Sequence, residues 1–132
     1  MDETIFLNID LDIESKIDIS PIVEAFGEEV AVLRNDCMSG IYYGSFETLL
    51  AKPNEIIMEY ARLIESLDPS ARQIWDQCRT KRFDIGFQCA EKPYSYHSTL
   101  SNESLSKISA LGGEFVVTIY APNPEGEKLW TI

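Results

Sequence analysis

A chain of 132 residues, 45% hydrophobic and 25% charged, has the size and balance of one globular domain, neither disordered nor fibrous. Asp+Glu 22 against Lys+Arg 11 leave a formal charge of -11. That balance argues against nucleic-acid backbones and anionic membranes as partners, because both need a positive field.

The start, Met1-Asp2-Glu3-Thr4, has neither the basic nor the apolar region of a secretory signal. Ile5, Leu7, Ile9, Leu11 and Ile13 then alternate with Phe6, Asn8, Asp10, Asp12 and Glu14. This period of two predicts a strand whose aliphatic face meets helices and whose carboxylates point away. Ser20-Pro21 reads as an N-cap followed by proline at the first helical position, opening a short helix with Ile22, Val23 and Phe26 that stops at Gly27. Val30-Ala31-Val32-Leu33 is a second strand. Asn35-Asp36-Cys37-Met38-Ser39-Gly40 is turn-rich, and Ile41–Thr48 is the hairpin partner.

Pro53 opens a helix whose Ile56, Ile57, Tyr60, Ala61, Ile64 and Leu67 share one stripe. Asp68-Pro69 ends it and caps another, with Ala71, Ile74, Trp75 and Cys78 at helical spacing. Phe83, Ile85, Phe87 and Cys89 alternate as a strand, and residues 91–99 form a polar, tyrosine-bearing connection. Leu100-Ser101 with Leu105 reads as a hydrophobic staple around a serine N-cap. The helix it opens turns Leu105, Ile108 and Leu111 inward and ends at Gly112-Gly113. Residues 115–120 make the last strand. The tail after Pro122-Asn123-Pro124 is expected to be loosely attached, with Leu129 and Trp130 as the residues that could dock it. The expected fold is α+β, a single domain over residues 1–132. It is a two-layer sandwich of a mostly antiparallel sheet with helices on one face, in β-α-β-β-α-α-β-α-β order, beginning as a split βαβ arrangement.

Phe83-Asp84-Ile85-Gly86-Phe87, followed by Leu100-Ser101-Asn102-Glu103-Ser104-Leu105 and Ile108-Ser109-Ala110-Leu111-Gly112, resembles the bacterial family called domain of unknown function 4279. In that family a strand leads to a capped helix and an apolar strand ending near a tyrosine, here Tyr120. The resemblance covers about the last third of the chain and the helix opened by Pro53. It implies a bacterial origin and a compact α+β fold, and it carries no catalytic residues over.

Chemistry-bearing patterns are sparse. His97 is the single histidine, so a histidine-rich zinc site is excluded, and nothing in the spacing requires it to meet Cys37 as a nucleophile–base pair. Cys37, Cys78 and Cys89 are odd in number and irregularly spaced, the pattern of reduced thiols in a cytoplasmic protein. Phosphate-binding, dinucleotide and nucleophile-elbow fingerprints are absent from the sequence, so no catalytic, cofactor-binding or metal residue is assigned. Arg72, Arg79, Lys81 and Arg82 gather near a helix-to-strand junction, where a helix dipole accounts for them.

The acidic residues are distributed unevenly. Residues 1–36 hold ten acids against Lys16 and Arg34, a balance of -8, which leaves -3 for the other 96 residues. Such a field speeds encounter with a basic partner. The expected function is therefore that of a small acidic bacterial immunity protein, without catalysis of its own, that binds a basic toxin domain such as a nuclease. Asp10, Asp12, Glu14, Glu28, Glu29, Asp36, Tyr42 and Tyr94 are the candidate partner-binding residues. Two alternatives are a domain that binds a small ligand or a housekeeping partner, and an enzyme that holds a divalent metal on Asp10, Asp12 and Glu14.

Overall fold

The structure, a computed structural model, describes residues 3–122. Its elements follow the expected order: β1 (Ile5–Ser15), α1 (Ser20–Phe26), β2 (Val30–Met38), β3 (Ile41–Thr48), α2 (Pro53–Glu65), α3 (Pro69–Gln77), β4 (Thr80–Gln88), α4 (Asn102–Ala110) and β5 (Glu114–Tyr120). One 3-10 turn, Gly27–Glu29, joins α1 to β2. The tail residues Leu129 and Trp130 lie outside the described residues.

The strands form one sheet in the order β2-β3-β1-β4-β5. Neighbours among the first four are antiparallel, which is the split βαβ arrangement. The fifth strand joins β4 in parallel, as a crossover through α4 requires. Ile9, Leu11, Ile13, Phe46, Phe83 and Ile85 form the buried floor of the sheet. Over them lie Ile22 and Phe26 of α1, Ile56, Tyr60 and Ile64 of α2, Ala71 and Trp75 of α3, and Ile108 of α4. The helices thus cover one face. No described element packs on the other.

Four local expectations are corrected. The alternation of β1 holds for Ile9, Leu11 and Ile13, but a bulge between Phe6 and Asn8 reverses it upstream. One extra residue shifts the two-residue period by one step. Phe6 consequently pairs with Phe87, packs against the core and meets the Phe87 ring edge-on at 6.0 Å. Leu7 turns to the open face beside Asn8 and Asp10, and Ile5 pairs with Gln88 on that same side. Tyr96, from the connection after β4, accepts the Phe6 amide N–H at 3.1 Å and sets its ring against Phe87.

The second correction lies in the hairpin. Asn35 to Met38 belong to β2, and the turn is Ser39 and Gly40 alone, with φ of 52° and 81°. Two left-handed residues twist the chain in the sense that paired strands need. Third, α1 is not capped by Ser20. Asp18 receives both the Ser20 N–H at 2.9 Å and its hydroxyl at 2.7 Å. Fourth, Leu105 is 45% exposed and Ser104 takes the interior position with Ile108 and Leu111. The reason is polar. Ser101 caps α4 through the Ser104 N–H at 3.1 Å, and the Ser104 hydroxyl donates to Asn54 on α2 at 2.8 Å. The Asp68 cap of α3 is as expected, accepting the Ala71 N–H at 2.9 Å.

Candidate functional site

Residues on the open face are fixed by register, since directly paired residues share a side of the sheet. Asp10 is paired with Glu47 on β3 and with Asp84 on β4, so three carboxylates stand in one row across three strands. The next row runs Arg34, Ser45, Asp12, Arg82 and Glu114 from β2 to β5. A third brings Asp36, Tyr43, Glu14 and Thr80 together. Leu7, Gly86, Thr118 and Tyr120 border the first row and make a hollow of about 300 Å³ over it. A second hollow of about 400 Å³ lies over Asp12, Glu14, Tyr43 and Arg82.

Most of these charges have local partners. Ser45 donates to Asp12 at 2.6 Å, and Thr118 donates to Asp84 at 2.7 Å. Arg79 pairs with Glu14 at 2.9 Å, and Arg34 pairs with Asp36 at 2.6 Å while lying 4.0 Å from the centre of the Tyr43 ring. Asp10 and Glu47 receive no side-chain hydrogen bond or ion pair from a described residue. Burial, reinforced by the charges of Asp12, Glu47 and Asp84, pushes the Asp10 carboxyl up to about 7. Asp12 is also raised by burial, against the opposing pull of the Ser45 hydrogen bond. Like charges set directly opposite on a sheet destabilise it, so folding alone does not account for this row.

The structure gathers only some of the residues singled out by sequence. Asp10, Asp12, Glu14 and Asp36 share the open face. Tyr42 does not, because its partly buried ring packs against the core on the helix side, and its neighbour Tyr43 faces the carboxylates instead. Glu28 and Glu29 sit in the 3-10 turn, and Glu29 is bound to Arg62 of α2 at 2.6 Å, again on the helix side. Tyr94 is fully exposed and borders a separate hollow with Phe87, Tyr96 and Ile119. Cys37 lies on edge strand β2 and His97 in the loop after β4, with β3 and β1 between these strands. Sequence reasoning missed Glu47 and Asp84. Each alternates with buried aromatics, Phe46 and Phe83, and that alternation was the available signal for an outward direction. Among the described residues no group of three or more His, Cys, Asp or Glu is arranged to hold a metal ion.

No family model matches the chain, and neither a curated protein nor a solved structure does.

Proposed function

We propose that this chain works by binding a basic protein domain across the open face of its sheet, as an immunity protein that neutralises a toxin. A nuclease is the class of toxin whose own phosphate-binding surface must be positive. One observation carries the reading: Asp10, Asp12, Glu14, Glu47 and Asp84 crowd a sheet face that no described helix covers. A face held at that electrostatic cost, with like charges in register, supports recognition of cations more than it supports folding. Tyr43 adds aromatic contact area next to these carboxylates.

The test mixes the full chain with a basic nuclease domain encoded beside it, followed by gel filtration and calorimetry. A stoichiometric complex weakened by salt, and by Asp12→Asn with Asp84→Asn, supports the reading. A complex indifferent to both substitutions and to salt overturns it. Calorimetry with Mg²⁺ or Ca²⁺ in the same buffer separates a metal-dependent protein from this reading.

A further inference from the structure

Among the described residues, no cation pairs with the centre of the first row of the open face. Asp10 is the direct partner of Glu47 on one side and of Asp84 on the other. The described groups around it come from four strands, and Tyr120 of β5 lines the same hollow. From its own strand come Asn8, whose side chain turns back to the Ile9 N–H at 2.8 Å, and Asp12, engaged by Ser45. From β3 come Glu47 and Ser45, and from β4 come Asp84, Gly86 and Arg82. Thr118 of β5 donates to Asp84. Arg82 is paired across from Asp12, one row away, and its ion pair among the described residues is with Glu114 at 4.0 Å. The helices lie on the other face and supply no donor to the row.

Three carboxylates at neighbouring strand positions cannot all ionise freely, since each charge raises the cost of the next. The middle one bears two such neighbours. Leu7 and Tyr120 at the edge of the hollow reduce its access to water.

We propose that Asp10, flanked by Glu47 on one neighbouring strand and by Asp84 on the other, is a pH-sensitive group that holds a proton in the folded protein. Its release of that proton makes the open face more negative by one charge. The carboxyl position of about 7 at Asp10, caused first by burial and then by Asp12, Glu47 and Asp84, agrees with this geometry. The folded row binds a proton that an unfolded Asp releases near 3.8. Stability contributed by this group is therefore fully present below the unfolded value and is lost as pH rises toward about 7.

The proposal requires no partner, so its test uses the full chain alone. Carboxyl-carbon NMR across the pH range reads these acids directly. One carboxyl of the row is expected to titrate with a midpoint near 7. In Glu47→Gln or Asp84→Asn that midpoint is expected to fall, because one flanking charge is gone. In Asp10→Asn the neutral-range step is expected to vanish. The urea midpoint of Asp10→Asn should gain on the parent between pH 4 and pH 7, in the window set by the unfolded and folded positions. Titration of every row carboxyl below about 5 in the parent protein overturns the proposal, whatever the variants do. So does a neutral step that persists unchanged in Asp10→Asn.

Discussion

Tyr60 is fully buried, and its hydroxyl lies 2.8 Å from the carbonyl oxygen of Ile9 and 3.0 Å from that of Phe46. It closes the place where β1 and β3 part, just beyond the last pair, Asp10 with Glu47. Burial pushes this phenol far above its usual range, so it remains a donor at every accessible pH. Tyr60→Phe is expected to cost about 1–3 kcal/mol, since two buried carbonyls lose their shared donor while the ring packing survives. An unchanged urea midpoint would show that water replaces the hydroxyl. The thiols differ in the same residue-by-residue way. Cys37 is exposed, whereas Cys78 is buried and its thiol is pushed up to about 11 by that burial. Labelling of the folded protein at mildly alkaline pH is expected to modify Cys37 promptly and Cys78 only on unfolding. Equal rates at both would refute the placement.

At the scale of elements, the bulge in β1 makes a measurable distinction between two leucine-like positions. Ile9 is fully buried under the helices, so Ile9→Ala is expected to cost about 2–5 kcal/mol as a cavity mutant. Leu7 lies on the open face, and Leu7→Ala is expected to cost distinctly less, about 1 kcal/mol. Equal losses, measured by denaturant unfolding, would mean that the strand is in its unbulged register. Helix α4 depends on polar contacts as much as on apolar ones. Asn54 accepts from the Ser101 N–H at 2.9 Å and the Ser104 hydroxyl at 2.8 Å, and donates to the Thr99 carbonyl at 3.1 Å. Asn54→Ala should therefore loosen α4 together with the strand that follows it. Hydrogen exchange is the readout: faster exchange confined to α2 would show that the link carries no load between elements.

For the molecule as a whole, the formal charge of -11 is concentrated by the fold more than by the chain order. The acidic N-terminal third contributes Asp10, Asp12, Glu14 and Asp36 to the open face, but the folded row is completed by Glu47 and Asp84 from later segments. Opposite fields act mainly on encounter, so replacing Asp10, Asp12 and Glu14 by amides is expected to slow association with a basic partner and to flatten its salt dependence. Glu28 and Glu29, on the helix side, should have a smaller effect than these three. With a Debye length of ~8 Å at physiological salt, charges on the far face are largely screened. Stopped-flow rates across a salt series decide this, and identical slopes for the two sets would remove the open face from the encounter.

Periodicity and turn chemistry were enough to set the order of strands and helices and to place Ile9, Leu11, Ile13, Phe83 and Trp75 inside. These are local properties: a two-residue or 3.6-residue period and a capping residue act within a few positions. The Asp68 cap and the outward direction of Asp10 and Asp12 belong to the same class. What only the tertiary structure decided was register. It put Glu47 and Asp84 on either side of Asp10, turned Leu7 outward at a bulge secured by Tyr96, and sent Tyr42 to the core while Tyr43 joined the carboxylates. Pairing between distant strands is set by the joint packing of all helices on one face. A single-residue slip reverses every side chain, and no short window of sequence contains that information.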